Sequence, residues 1–130
     1  MITYLLDSDI IIEALKGRAP ATGLLASRSR SLFAMSAVTF GEVYAGIYYG
    51  RDPHAAENVF RAFSRGVRTL DINRTVARRY AQVFGLLRQQ GQLIPAPDLL
   101  IAATALTYNL TLVTYNRRHF TRVPGLTIAL

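Results

Sequence analysis

The sequence predicts an α/β protein, a mostly parallel central sheet with helices on both faces. Two observations carry this. The segment ITYLL (2–6) reads as a buried strand, and SLFAMS (31–36), VRTLDI (67–72), LTLVT (110–114) and LTIAL (126–130) read as further strands. Stretches with helical apolar spacing lie between the strand-like segments. No repeat and no Pro-, Gly- or Ser-rich linker divides residues 1–130, so one domain is expected.

Taken in order, the strand at 2–6 leads into a helix from about Ser8 to Lys16, and Gly17 and Pro20 mark the turn after it. A short helix over ATGLLASRSR precedes the strand SLFAMS. The segment AVTFGEVYAGIYYG reads as a helix that Gly50 ends. Asp52 then caps a helix with Pro53 at its first position and Gly66 beyond its end; Ala56, Val59, Phe60 and Phe63 form the apolar face and Glu57–Arg61 an i,i+4 pair. VRTLDI is a short strand, and Asn73 caps a long helix with Val76, Tyr80, Val83 and Leu87 on one face. QLIPAP is a loop stiffened by two prolines, followed by a helix from about Asp98 to Tyr108. LTLVT is a strand, YNRRHFTRVPG a loop or helical turn, and LTIAL the last strand.

Composition narrows the function classes. Cysteine is absent, which excludes disulfides, thiolate catalysis and thiolate zinc sites. No stretch reads as a membrane span, and residues 1–12 lack the basic start and small-residue cleavage site of a secretory signal, so the simplest reading is a cytoplasmic protein. The formal net charge is +7, and Lys16 is the one lysine among fifteen basic residues. An arginine-rich basic domain suits an anionic partner, nucleic acid or acidic protein, although charge also serves solubility.

The eight acids are more informative. Asp52, Glu57 and Asp71 fall in charged or turn-like settings, and Glu13 belongs on the exposed face of its helix near Lys16. Asp7 and Asp9 directly follow a strand, where ligands gather in doubly wound sheets. Glu42 sits mid-helix on a stripe with Val38, Ala45 and Tyr49, and Asp98 stands before LLIAATAL; neither has a charged neighbour. Taken singly, the aspartates read as helix caps and Glu42 as solvent-facing. Together, unpaired carboxylates beside a core would each cost several kcal/mol unless one compensator serves them all. A hard divalent cation does so.

LLDSDIIIEAL, MSAVTFGEVYAGI, IPAPDLLIAATAL and LVTYNRRHFTRVPGL resemble, in order and spacing over the whole chain, the PIN-domain ribonucleases, and among them the VapC toxins of bacterial type II toxin–antitoxin pairs. The resemblance implies a three-layer α/β/α sandwich whose acids cluster at one end of the sheet and hold Mg²⁺ or Mn²⁺. Carried over residue by residue, it makes Asp7, Glu42 and Asp98 the metal and catalytic acids, with Asn116 joining them in the catalytic set. Ser8, Asp9 and Thr114 take supporting places. The last motif departs from the acidic pattern: Asn116 stands where many relatives have Asp, and His119 where many have Asp or Glu. Asn116 brings an acceptor oxygen but no charge. His119 reads either as a substrate contact or as a structural residue.

The implied activity is a metal-dependent endoribonuclease that cuts RNA through an activated water, leaving a 5′-phosphate and a 3′-hydroxyl. Transfer RNA and ribosomal RNA are the substrate classes. Arg117, Arg118, Arg122 and His119 are candidate RNA contacts, the arginines having the alternative of a solvated loop. The implied partners are a VapB-type antitoxin, through which the complex would meet operator DNA, and a second copy in a homodimer. Tyr44, Tyr48 and Tyr49 are candidates to line an aromatic groove for the antitoxin tail, with core burial as the other reading. LLDSDIII also fits the nucleophile motif of haloacid-dehalogenase-type phosphatases, but that chemistry needs a downstream lysine on the phosphate, and Lys16 is badly placed. The rival from another class is a non-catalytic RNA- or partner-binding module with a degenerate site.

Overall fold

A computed structural model describes all 130 residues. Five parallel strands form one sheet: β1 (Tyr4–Leu6), β2 (Phe33–Ser36), β3 (Arg68–Leu70), β4 (Thr111–Val113) and β5 (Ile128–Ala129), in the spatial order β3-β2-β1-β4-β5. The chain builds outward from β1 through β2 to β3, then returns to the other side of β1 for β4. This places the topological switch point between β1 and β4, the position where open α/β sheets bind ligands.

The helices are α1 (Ser8–Leu15), α2 (Ala21–Ala26), α3 (Ala37–Tyr49), α4 (Pro53–Ser64), α5 (Arg74–Gln89), α6 (Ala96–Tyr108) and the single turn α7 (Arg117–Phe120). Successive strand residues face opposite layers, which explains the unbroken apolar runs. Leu5, Ala34 and Leu112 pack with Val83 and Leu87 of α5, Leu99, Ile101 and Ala102 of α6, and Phe120. Their neighbours Leu6, Met35 and Val113 pack on the other side with Ile10 and Ile11 of α1, Val43 and Ile47 of α3, and Phe60 and Phe63 of α4. The three-layer sandwich expected from the sequence is therefore present. No helix is long and apolar enough to cross a membrane.

Caps act where the sequence places them. Asp52 accepts from the Ala55 N–H at 3.1 Å and Asn73 from that of Val76 at 2.9 Å. Gly66 follows α4 at φ +79°, a conformation that costs glycine nothing. Several expectations need correction. α6 begins at Ala96, two residues early, so Asp98 is its third residue; Pro95 occupies the cap position and makes no side-chain cap bond. Pro97 is tolerated there because the first helical N–H groups have no intrahelical acceptor. Glu13 pairs with Arg18 at 3.3 Å rather than lying near Lys16 alone. On the apolar face of α4, Phe60 and Phe63 are buried and Val59 is half exposed. The Glu57–Arg61 contact is made at 3.6 Å.

Candidate active site

Asp7 directly follows β1 and is the N-cap of α1, and so is held at the carboxyl edge of the sheet. One carboxylate oxygen accepts from the Ser8 N–H and the other from the Thr114 hydroxyl, both at 2.8 Å. Thr114 follows β4 directly and is fully buried, so the contact spans the switch point. The same hydroxyl lies 3.4 Å from Asp9 Oδ2 and accepts from the Asn116 N–H at 3.0 Å. Asp9, in the first turn of α1, also accepts from the Tyr115 N–H at 3.0 Å. One threonine thus fixes both aspartates of the DSD segment against the loop after β4.

α3 brings Glu42 to the same crevice, and α6 brings Asp98 in its first turn. Their proximity shows in their acidities. Burial pushes Asp7 up to about 6; the Thr114 and Ser8 bonds oppose the rise, while the charges of Asp9 and Asp98 add to it. Asp9 is raised by burial against three stabilising hydrogen bonds, with Asp98 again adding repulsion. Glu42 is raised by burial, eased by the neighbouring Ser8 hydroxyl, and raised further by Asp98 and Asp9. Four carboxylates separated by up to 91 residues in sequence therefore repel one another in one place.

Two of their oxygens, Asp9 Oδ1 and Glu42 Oε1, are buried with no hydrogen-bond donor, as is the hydroxyl of Thr39 one turn before Glu42. Orphaned carboxylate oxygens call for a cation, and an all-oxygen donor set suits Mg²⁺ or Mn²⁺. No three acidic or imidazole side chains close around a common point as they stand. One contributor is engaged elsewhere: Asp98 Oδ2 lies 2.7 Å from His119 Nδ1 and 3.5 Å from Asn116 Nδ2. A carboxylate can only accept, so His119 Nδ1 carries the proton and donates to it. The same nitrogen lies 2.9 Å from the Asn116 side-chain amide, so that amide presents its oxygen to the ring once turned about its axis.

The remaining expected residues are spread around this centre. Arg117 donates to the carbonyl of Leu130 and Arg122 to that of Leu93, whereas Arg118 has no ion-pair partner. No aromatic groove forms. Tyr44 packs against Phe40, Tyr48 and Phe60 and donates its hydroxyl to Glu57 at 2.8 Å, while Tyr49 is 94% exposed. The largely apolar cleft lies on another face of α3, where Ile12, Leu15, Val43, Ile47, Ala56 and Val59 line about 420 Å³ between α1, α3 and α4. The sequence reading missed it because α3 is apolar on most of its circumference.

Known proteins match this chain over nearly its whole length. The PIN domain family matches residues 4–126. A protein of Haemophilus influenzae named "Ribonuclease VapC2" is 30% identical over 126 residues, 97% of this chain and 96% of its own length. The "tRNA(fMet)-specific endonuclease VapC" of Shigella flexneri is 28% identical over the same shares. Among solved structures, the DNA-bound VapBC complex of Salmonella typhimurium includes a chain of 26% identity that superposes with a TM-score of 0.92, covering 99% of this chain and 98% of that one. A five-stranded parallel sheet with acids gathered at its switch point, matched along nearly its whole length, places this chain in the PIN-domain family, among its VapC proteins.

Proposed function

We propose that this chain is the toxin of a type II toxin–antitoxin pair and a Mg²⁺- or Mn²⁺-dependent endoribonuclease acting on transfer or ribosomal RNA in the cytoplasm. The observation that carries the proposal is the gathering of Asp7, Asp9, Glu42 and Asp98 in one crevice, with buried carboxylate oxygens that no protein donor meets. When bound, the cation supplies charge compensation for the scissile phosphate and lowers the pKa of a nearby water.

In this reading Asp7 and Asp98 hold the cation directly, and Glu42 does so through water or takes the proton of the attacking water. The upward shift of Glu42 makes it a stronger base than an ordinary glutamate. Thr114 positions Asp7 and Asp9 through its hydroxyl, and His119 holds Asp98 from the outside with Asn116 bracing the imidazole. Arg118 is free to meet an RNA phosphate, with Arg117 and Arg122 beside it on and after α7.

The antitoxin partner is supported by relatives solved as VapBC complexes, two of them on DNA. Its docking place is the apolar cleft between α1, α3 and α4, whose lining on α3 begins at Val43, the residue after Glu42. A helix with aliphatic anchors suits such a groove, and the antitoxin would carry the complex to operator DNA.

The deciding experiment maps cleavage sites on total RNA with purified, antitoxin-free protein in Mg²⁺, Mn²⁺ and EDTA. Discrete cuts with 5′-phosphate ends that need the metal and vanish in Asp7→Ala are expected. Absence of cleavage with both metals overturns the proposal.

A further inference from the structure

The arginines do not all find employment near the acids. Of the fourteen, only Arg18 and Arg61 pair with carboxylates. α5 carries four, Arg74, Arg78, Arg79 and Arg88, and no acid at all. Three of them crowd into its first two turns, where the positive end of the helix dipole disfavours cations. Arg74 and Arg78 stand four residues apart, so like charges add to that cost. A local arrangement with this much self-repulsion is relieved by an anion.

The packing of α5 against α6 gives that anion a place. Thr75, Arg78, Arg79 and Gln82 of α5 face Thr107 of α6 across a cleft of about 160 Å³ that no apolar side chain lines. The Thr107 hydroxyl is committed to the Ala103 carbonyl at 2.7 Å, so the two guanidinium groups, the Thr75 hydroxyl and the Gln82 amide are the available donors. Thr107 follows Asp98 by nine residues on α6, which is about 14 Å along the axis and half a turn round. The cleft is therefore separate from the carboxylate crevice, and Arg117, Arg118 and Arg122 are not part of it.

We infer that the Arg78–Arg79 cleft between α5 and α6 is a second anion site that grips a backbone phosphate of the RNA at a distance from the cleaved bond. This rests on the ribonuclease reading above. An acidic protein partner fits less well, because protein interfaces need an apolar or aromatic centre, whereas nucleic-acid interfaces are polar and strongly basic. Paired guanidinium forks match phosphate oxygens bidentately. Such a contact carries no sequence information; it adds affinity and orients the RNA.

The test compares wild type with Arg78→Ala/Arg79→Ala and Arg78→Lys/Arg79→Lys, using fluorescently labelled total tRNA in EDTA and cleavage of the RNA identified by mapping. The alanine pair is expected to bind about tenfold more weakly at physiological salt, with the slope of log affinity against log salt reduced by about 0.8. In cleavage, KM rises and kcat holds. The lysine pair keeps the charge, so it retains most of the slope. Unchanged affinity and slope in the alanine pair, or a fall in kcat with KM constant, overturns the second site while leaving the ribonuclease intact. A wild type that neither binds nor cuts RNA overturns both.

Discussion

His119 Nδ1 meets Asp98 Oδ2 at 2.7 Å, closing the outer side of the acidic crevice with an imidazole. The contact holds one carboxylate oxygen and offsets part of the negative charge that raises Asp7, Asp9 and Glu42. His119→Ala removes that donor. Both partners are partly exposed, so the expected loss of stability in EDTA is modest, about 1 kcal/mol. The gain in melting temperature on adding Mg²⁺ should become larger, since the cation then relieves more repulsion. An EDTA melting curve and a Mg²⁺ increment both equal to wild type would show that the contact orders nothing.

Asp7→Asn separates stability from function. The amide is close in shape to the carboxylate and removes a charge that is 5% exposed and repelled by Asp9 and Asp98. In EDTA the variant should be more stable than wild type by about 1–3 kcal/mol in chemical denaturation. Cleavage should fall at least about 100-fold, and stabilisation by Mn²⁺ should shrink, because a proposed direct ligand is gone. A destabilised variant that still cuts RNA would remove Asp7 from the site.

The same burial sets a pH dependence. Burial pushes the Asp7 carboxyl up to about 6 in the folded chain from an ordinary 3.8, and Asp9 and Glu42 are raised too. Between those values the folded state binds more protons than the unfolded one, so metal-free stability falls as pH rises from about 4 to about 6. Asp7 alone accounts for up to about 3 kcal/mol of that loss. Stability present at pH 4 and lost by neutrality is the opposite of the trend for a salt-bridged carboxylate. Saturating Mn²⁺ should flatten the curve above pH 6. Melting temperatures from pH 4 to 8, with EDTA and with Mn²⁺, check both statements; a rise towards neutral pH in EDTA would contradict them.

The sequence reveals charges more readily than partners. Asp7, Glu42 and Asp98 are visible because an isolated acid in an apolar stretch is costly wherever the chain folds, and the fold brings them together. The strands are visible for the same kind of reason, since Leu5–Leu6 and Leu112–Val113 are apolar on both faces. The His119–Asp98 contact is not visible: it joins residues 21 positions apart on α6 and α7, and no periodicity links them. Nor could α3 disclose its roles. Tyr44 and Tyr48 on one side and Val43 and Ile47 on another look alike in sequence, and only packing against α1 and α4 separates the cleft from the aromatic cluster. The arginines of α5 were countable, but the cleft they line needs Thr107 from α6.

Thr114→Val tests the positioning of the two aspartates. Valine keeps the shape of a fully buried residue but leaves an oxygen of buried Asp7 without its donor and deprives the Asn116 N–H of its acceptor. Stability should drop by about 2 kcal/mol, and RNA cleavage by about tenfold or more as Asp7 and Asp9 lose their common anchor. Thr114→Ser keeps the hydroxyl and should recover most of the cleavage. If serine and valine behave alike, the hydroxyl does not position the acids.

The apolar cleft can be tested without touching the acids. Ile12 and Val59 lie on its rim, 37% and 50% exposed, so a charge at either position remains solvated in the free chain and leaves the fold and RNA cleavage intact. Against a docked helix the same charge would be buried without a partner, a penalty of several kcal/mol. Ile12→Glu and Val59→Glu should therefore weaken antitoxin binding by about 100-fold or more in calorimetry while cleavage by the free protein stays at the wild-type rate. Tyr49→Glu, at a side chain outside the cleft, serves as the control and should bind normally. Normal binding by both rim variants would move the antitoxin to another face. Loss of binding by Tyr49→Glu alone would return it to the tyrosine side of α3.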